Sequence, residues 1–333
     1  MFKIFKKIDT QYVIFFLMLV SLTIIYKKLQ VDEDHTSAAY HYKMVDNFLI
    51  NPTAFDKPYL WIHLHNDNAT IPEVNARKWV SFYSRDTKNF NQPYQYLTIK
   101  SIIDKCGDDF NIAIIDDRSF AKIIPNWTID FSHIANPIKT HLRLLAMSLV
   151  LSTYGGILVP SSFICFKSLK PLFNSNHDKM FVGEFPNNTS SGSLQNKFLP
   201  DTELMGCNAG NEDMKEFIKY LEILNSTDFV ADMDLVGKPN IWLNEKIKTK
   251  NINIVNGQFI GTQKVCGNPV DIEDLVGSTF IELNSDAFGL YVPWAQFINR
   301  TAFQWFVQLT PREVLESDTM VGKHLLIKGE DPL

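Results

Sequence analysis

The stretch that decides the fold covers residues 141–163 and reads His141-Leu-Arg-Leu-Leu-Ala-Met-Ser-Leu-Val-Leu-Ser-Thr-Tyr-Gly-Gly-Ile-Leu-Val-Pro-Ser-Ser-Phe163. Residues 138–153 are almost continuously apolar, which predicts a buried helix that is too short, and too polar at its start, to span a bilayer. Tyr154-Gly155-Gly156 ends this helix, and residues 157–159 predict a strand that Pro160 terminates. The stretch therefore predicts a buried helix, a tight turn and a buried strand.

Further strand and helix patterns lie on both sides of this stretch. Strands are predicted at residues 60–65, 110–115, 180–185, 252–255 and 289–292. Helices are predicted at residues 92–106, where Gly107 closes the helix, and at 211–224. The alternation predicts an α/β fold of the Rossmann-like kind, in which helices flank a mostly parallel sheet.

Asp116 and Asp117 directly follow the second predicted strand. Ligands of open α/β sheets gather at the carboxyl ends of the strands, so these carboxylates are candidates for contacting a nucleotide or its cation. The alternative is that one of them caps the following helix. His63 and His65 share one face of the first strand. They are either two metal ligands that lack a third ligand nearby, or core or rim histidines whose hydrogen bonds are satisfied within the protein.

The helix, the Tyr154-Gly155-Gly156 turn and the strand resemble the sugar-binding region of glycosyltransferases that carry a DxD motif, including capsular-polysaccharide-type enzymes. Other similar features are Trp61 and His63 in the opening strand, Asp116-Asp117, and Asn208-Ala209 before a helix, so the resemblance spans about residues 60–224. It implies a GT-A-like fold that transfers a sugar from a nucleotide-sugar donor to a glycan or protein acceptor.

The chain departs from that family where the two aspartates of the DxD motif are expected. Pro160 and Ser162 stand at these positions, with Ser161 between them. The family also has an arginine in the preceding helix; Arg143 lies a turn before that position, and Met147 lies nearer to it. Mg²⁺ and Mn²⁺ prefer charged oxygen ligands, which proline and serine do not supply. The departure therefore puts the metal-dependent chemistry of the family in doubt.

Three interpretations follow from this departure. Transfer is metal-independent, with Arg143 or a lysine and the hydroxyls of Ser161 and Ser162 stabilising the leaving diphosphate. Alternatively Mn²⁺ or Mg²⁺ binds through Asp116 or Asp117, or the domain has lost catalysis and kept a binding or scaffold role. No catalytic residue and no metal ligand is assigned. The expected donor-binding residues are Trp61, His63, Asp116, Asp117, Arg143, Gly155, Gly156, Ser161, Ser162 and Asn208.

An N-terminal membrane anchor is predicted at residues 12–26, which are uncharged and almost wholly apolar and follow three lysines. The residues after it lack a signal-peptidase site of small residues, which favours an uncleaved anchor over a signal peptide. We therefore expect a cytoplasmic tail and anchor at 1–30, a stem at 31–58 and one α/β domain at 59–333. The expected topology is a single-pass type II protein whose domain faces the lumen of the endoplasmic reticulum, the Golgi or an equivalent compartment.

Composition fits a folded domain and excludes some partners. The 333 residues are 45% hydrophobic and 21% charged, and the net charge of −5 offers no basic footprint for nucleic acid. The four cysteines lack zinc-ligand spacing and are either free thiols or one or two disulfides. Sequons that fit a lumenal domain begin at Asn68, Asn126, Asn187, Asn188, Asn225 and Asn299. The aromatic residues expected to pack as a stripe, or else to form an acceptor platform, are Trp294, Phe297, Phe303, Trp305 and Phe306.

Overall fold

The computed structural model describes residue 49 and residues 57–65, 92–187, 197–227 and 237–328. The anchor predicted at residues 12–26 and nearly all of the predicted stem lie outside these ranges, so the anchor and the division into tail, stem and domain stay predictions. Within the described ranges, no helix combines the length and the apolar character needed to cross a membrane.

The described chain contains eight strands and twelve α-helices. The strands are β1 (Tyr59–Leu64), β2 (Asn111–Asp116), β3 (Gly156–Leu158), β4 (Phe163–Cys165), β5 (Phe181–Pro186), β6 (Phe198–Cys207), β7 (Asn253–Val255) and β8 (Gly289–Tyr291). The helices are α1 (Tyr94–Cys106), α2 (Phe120–Ile123), α3 (Ile138–Tyr154), α4 (Lys170–Asn176), α5 (Glu212–Asn225), α6 (Lys238–Lys248), α7 (Gly257–Ile260), α8 (Ile272–Val276), α9 (Trp294–Asn299), α10 (Gln304–Val307), α11 (Pro311–Glu316) and α12 (Met320–Lys328).

Six strands form one sheet in the order β2-β1-β3-β6-β5-β7. The pairs β1–β2, β1–β3 and β5–β7 are parallel, whereas β6 is antiparallel to both of its neighbours. Five of the six strands therefore point the same way and β6 alone is reversed. The prediction of an α/β fold with a mostly parallel sheet flanked by helices is confirmed. The strands β4 and β8 form a separate antiparallel pair.

The sheet is buried on both faces, as a mostly parallel sheet requires. Successive residues of β1 show this, because Trp61 packs into one hydrophobic cluster with α3 and α5, and Leu60 and Ile62 pack into a second cluster on the other face. A third cluster gathers α1, β8 and the C-terminal helices. The predicted packing of the C-terminal aromatics holds for Phe297 and Phe306, which are fully buried, but not for Trp305, which is 45% exposed.

The turn after α3 contains two glycines for a steric reason. Gly155 and Gly156 have φ values of 69° and 106°, in the region that side chains disfavour. A Cβ on Gly156 would lie 2.2 Å from the carbonyl oxygen of Tyr59, and a Cβ on Gly155 would lie 2.6 Å from the backbone nitrogen of Ala209. The glycines thus let β3 pair closely with β1 and β6, which is a structural role.

The predicted helices and strands described above are present, and one strand was missed. The helix predicted at residues 92–106 is α1. Its buried residues are Tyr94, Leu97, Thr98, Ile102 and Cys106, whereas Tyr96 is 61% exposed. The ten-residue strand β6 was not predicted. It contains Pro200 and the acidic residues Asp201 and Glu203, which β-strands generally disfavour, so the pattern of its first half does not indicate a strand.

Candidate functional site

The carboxyl ends of β1, β2 and β3 lie at one edge of the sheet, because these strands are parallel neighbours. The reversed strand β6 begins at this edge and pairs with the end of β3 at Met205, so its residues before Met205 extend past the end of β3. Two cavities open here, of about 90 Å³ and about 340 Å³. Polar side chains from β1, β2 and β6 and from the loop after β3 are thereby collected at the place where open α/β sheets bind ligands.

A buried ion pair separates the two cavities. The Arg143 guanidinium donates two hydrogen bonds to Asp117, from Nε to Oδ1 at 2.8 Å and from Nη2 to Oδ2 at 2.6 Å. The side chains of Arg143 and Asp117 are only 4% and 12% exposed. His63 places its Nε2 3.2 Å from the same Oδ1 atom and stacks on the Phe120 ring. Three predicted site residues, from β1, the end of β2 and α3, therefore meet in one cluster.

The cluster holds Asp117 in its ionised form. Burial by itself would raise the pKa of Asp117, but His63 and Arg143 outweigh burial and hold that pKa well below its usual range. The carboxylate in turn neutralises Arg143, so the pair adds little net charge to either cavity. This side-chain arrangement is bidentate, which fixes the guanidinium in one orientation.

The smaller cavity contains an acidic group with an unusual proton affinity. Burial, with a smaller contribution from the neighbouring Asp201, raises the pKa of Glu203 to about 7, while a hydrogen bond with Trp294 opposes the increase. The Trp294 ring stacks on His65 at a centroid distance of 4.8 Å, and the His65 ring meets His63 edge to face. The lining comprises His63, His65, Thr140, Arg143, Leu144, Met147, Leu158, Val159, Pro160, Ser161, Thr202, Glu203 and Trp294.

Ser161, which lies between the two positions where DxD aspartates are expected, is held by α1. Ser161 donates from its hydroxyl to the Gln95 side chain at 3.2 Å, and its carbonyl oxygen accepts a hydrogen bond from Thr98 Oγ1. Ser161 lines the smaller cavity. The Ser162 hydroxyl is fully buried and has no hydrogen-bond partner within the part of the chain that the structure describes. Of the two hydroxyls, Ser161 is therefore the one that contributes to the cavity wall.

The larger cavity lies at the end of β2. Its lining comprises Asp116, Asp117, Arg118, Ala121, Trp127, Thr128, Ile129, Asp130, Phe131, Ser132 and Lys139. The Trp127 ring stacks on Phe131, and its indole nitrogen donates to the Ile129 carbonyl. Arg118 is exposed, whereas Lys139 is 7% exposed. This cavity thus combines aromatic surface with two cationic side chains.

Asp116 has a structural role that its neighbour lacks. Its Oδ1 accepts hydrogen bonds from the backbone nitrogen and the hydroxyl of Ser119, at 3.0 Å and 2.6 Å, and so closes the turn before α2. Asp116 therefore lies at the start of α2, as the alternative of a helix cap expects, whereas Asp117 forms the ion pair with Arg143.

Four of the expected donor-binding residues lie away from the cavities. Trp61 is fully buried in the core, where its indole nitrogen donates to the Gly155 carbonyl at 2.9 Å. Gly155, Gly156 and Asn208 lie at the opposite edge of the sheet, because Gly156 begins β3 and pairs with Cys207 at the end of β6. The structure does not bring these residues together with Ser161 and Arg143.

Sequence reasoning missed Glu203 as a site residue and named Trp294 only in the alternative of an acceptor platform. Glu203 was missed because β6 was not predicted, and Trp294 because its position in an aromatic stretch indicated packing. The sequence does carry a signal for Glu203. Asp201 and Glu203 are two residues apart, so a strand places both on one face, where each raises the cost of ionising the other.

Asp116 and Asp117, the two carboxylates expected to bind a divalent cation, do not fit one. Both carboxylate oxygens of Asp117 accept hydrogen bonds from Arg143, and the Asp116 carboxylate accepts a hydrogen bond from Ser119. Pro160, Ser161 and Ser162 supply no carboxylate. Within the described ranges, no group of three or more histidine, cysteine or acidic side chains is arranged to hold a metal ion. A cation at Asp117 would have to displace the Arg143 guanidinium.

Comparisons with known proteins give only distant similarity. No protein-family model matches the chain, and no curated protein sequence matches it significantly. Among solved structures, the apo form of the glycosyltransferase GlyE from Streptococcus pneumoniae TIGR4 is 10% identical over 62% of this chain and 46% of that chain, with a TM-score of 0.35. The chain therefore spans less than half of the GlyE chain.

Two further similar structures are of the galactosyltransferase LgtC. One is its complex with donor and acceptor sugar analogs, which is 11% identical over 60% of this chain and 74% of that chain, with a TM-score of 0.31. The other is an active-site mutant of LgtC, which is 12% identical over the same shares of the two chains, also with a TM-score of 0.31. All three structures are of glycosyltransferases. At this level of similarity, the function of the chain has to be argued from its own residues.

Proposed function

We propose that the chain is a metal-independent glycosyltransferase that moves a sugar from a nucleotide-sugar donor to a glycan or protein acceptor. The observation that carries the proposal is Glu203, a carboxyl group with a pKa of about 7 in a cavity beside Ser161, at the edge of the sheet where the resemblance puts the donor. A group with such a pKa is suited to accept or donate a proton at neutral pH.

The two cavities suit different parts of a nucleotide sugar. The larger cavity has a volume within the usual range for small-molecule sites and is lined by Trp127, Arg118 and Lys139, which suits a base and its phosphates. The smaller cavity is lined by hydroxyls, Glu203 and the Trp294 ring, which suits a sugar, because aromatic faces pack against the apolar faces of sugar rings. Both cavities border the Asp117–Arg143 pair. A donor with its diphosphate near that pair would place its base in the larger cavity and its sugar in the smaller cavity.

The chemistry then needs a base and stabilisation of the leaving group. The acceptor hydroxyl oxygen bonds to the anomeric carbon, the bond from that carbon to the diphosphate breaks, and the hydroxyl proton passes to the Glu203 carboxylate. Arg118 and Lys139 stabilise the negative charge of the departing diphosphate. Arg143 has a positioning role because Asp117 neutralises and orients it.

A donor-cleavage assay tests this proposal. The full-length protein is incubated with UDP- and GDP-sugars in the presence of EDTA, and release of the nucleoside diphosphate is measured. We expect release by the wild type and a decrease of about 100-fold or more for Glu203→Gln, the usual effect of losing a general base. Glu212→Gln, on the exposed surface of α5, is the matched control. Release that requires Mn²⁺ would contradict metal independence.

A non-catalytic, glycosyltransferase-like binding or scaffold protein is the second candidate. It is favoured by the absence of a carboxylate at residues 160–162 and by the neutralisation of Arg143 by Asp117, because both features weaken the site for a diphosphate. Binding of a sugar or a nucleotide sugar without any release of diphosphate would support this candidate over the transferase.

We also propose that residues 12–26 anchor the protein in a membrane, with residues 57–328 on the lumenal side. Two of the sequons, at Asn126 and Asn299, are exposed in the structure and so accessible to glycosylation. Resistance of the protein to carbonate extraction, together with a mobility shift on treatment with an N-glycosidase, is the expected result. Release of the protein by carbonate, or no mobility shift of the wild type on treatment with the N-glycosidase, would contradict this topology.

A further inference from the structure

Two of the four cysteines meet in the core between α1 and β4. Cys106 is the last residue of α1 and Cys165 the last residue of β4, and their sulfur atoms lie 3.8 Å apart. Both side chains are fully buried. The other two cysteines, which the structure also describes, make no sulfur contact with a cysteine: Cys207 faces the Leu151 carbonyl, and Cys266 is exposed. The fold therefore selects one pair of thiols.

We propose that Cys106 and Cys165 form a disulfide that joins the end of α1 to the end of β4. The bond requires the two sulfur atoms to approach by roughly 1.8 Å, which small rotations about the side-chain torsions can supply. The surrounding contacts already hold the backbones in register, because the Cys165 backbone nitrogen donates to Ser101 Oγ at 2.9 Å. This inference is independent of the proposed function.

The reaction is a thiol–disulfide exchange with a small-molecule disulfide such as glutathione disulfide. The Cys106 thiolate attacks one sulfur of the oxidant and releases one glutathione thiolate, and the Cys165 thiolate then attacks Cys106 Sγ in the mixed disulfide and releases the second. The two protons of the protein thiols pass to the two released thiolates. Because both thiols are buried in the folded chain, exchange takes place while the chain folds.

The bond would reinforce the wall of the smaller cavity. Residues 160–162 lead directly into β4, and α1 holds Ser161 through Thr98 and Gln95. A covalent link between α1 and β4 fixes the two elements that position Ser161. We therefore expect the oxidised protein to unfold at a higher temperature than the reduced protein, because the bond restricts a loop of about 60 residues in the unfolded chain.

Thiol counting and peptide mapping test the inference. The full-length chain is unfolded, refolded in a glutathione redox buffer, alkylated in denaturant without reductant, and digested. We expect two alkylated thiols, at Cys207 and Cys266, and one cross-linked peptide pair joining Cys106 to Cys165. The Cys266→Ser variant should give the same cross-link with one fewer alkylated thiol. Chain oxidised in denaturant is the second control and should give mixed pairings, because it lacks the fold.

Some outcomes would overturn the inference. Alkylation of all four thiols after oxidative refolding would show that the pair does not close, and a cross-link through Cys207 or Cys266 would show that the fold does not select this pair. A lower unfolding temperature for the oxidised wild type than for the reduced wild type would show that the native packing does not accommodate the bond. None of these measurements depends on whether a cysteine variant folds.

Discussion

The ion pair between Asp117 and Arg143 gives the sharpest prediction about the stability of the site. Asp117→Ala removes a carboxylate that accepts two hydrogen bonds from Arg143 and lies 3.2 Å from His63 Nε2. The Arg143 side chain is 4% exposed, so its buried charge would lose the carboxylate that neutralises it. Removing one partner of a buried pair costs about 3–5 kcal/mol in the free energy of unfolding, and we expect a loss of this size.

A double variant separates the ion pair from simple loss of packing. Because Arg143→Met removes the buried charge, Asp117→Ala/Arg143→Met should recover most of the stability lost in Asp117→Ala. Urea unfolding followed by tryptophan fluorescence supplies the free energies. Lys215→Ala, which breaks the exposed pair with Glu212, is the matched control and should leave the unfolding midpoint unchanged.

The pH dependence of the same variant gives a second check. Since the folded state holds the pKa of Asp117 below its usual value, the stabilisation is present above about pH 4 and is lost as the pH falls through the folded pKa. The difference between wild type and Asp117→Ala should therefore shrink below about pH 4. A loss under about 1 kcal/mol at neutral pH, or a double variant no more stable than Asp117→Ala, would refute the cluster as described.

Three other predictions concern residues around the sheet edge. Gly156→Ala should lower the free energy of unfolding by about 3 kcal/mol or more, because its Cβ would overlap the Tyr59 carbonyl, whereas Gly210→Ala, with positive φ but open space, should cost about 1 kcal/mol; thermal unfolding compares the two. The folded-state pKa of Glu203, about 7, lies above its unfolded value of about 4.3, so wild-type stability should fall as the pH rises between these values. Glu203→Gln should remove this pH dependence of stability. Unfolding temperatures of the wild type and of Glu203→Gln are measured from pH 4 to pH 8. Equal pH dependence in the two proteins would contradict the raised pKa of Glu203. Thr98→Val should cost about 1 kcal/mol through the lost hydrogen bond to the Ser161 carbonyl, and a stability equal to wild type in urea unfolding would show that this bond contributes little.

The fold could be predicted from sequence where local patterns and the tertiary structure agree. The apolar helix, the two glycines and the short strand gave α3, Gly155-Gly156 and β3 within a residue or two. The apolar strand before Asp116 gave β2 in the same way. β6 could not be predicted because its first half holds residues that strands disfavour, and the strand that pairs with this half is β5.

The site could be predicted only where the carboxyl ends of neighbouring strands determine it. This rule correctly placed Asp117 at the sheet edge, but it could not show that Asp116 binds Ser119 while Asp117 pairs with Arg143. Arg143 pairs with a carboxylate 26 residues away, a contact that no local pattern reveals. Glu203 could not be predicted as a site residue because β6 was not predicted, although its raised pKa marks it in the cavity.

Calorimetric titration of the full-length protein with UDP- and GDP-sugars tests the central claim most directly. The titration is made in EDTA and again in Mn²⁺, on the wild type and on Trp294→Ala, with Trp305→Ala on the exposed surface of α10 as the matched control. The account predicts that at least one donor binds equally well in EDTA and in Mn²⁺, and that binding weakens in Trp294→Ala but not in Trp305→Ala. No binding of any donor, or binding only with Mn²⁺, would contradict a metal-independent donor site at this edge of the sheet.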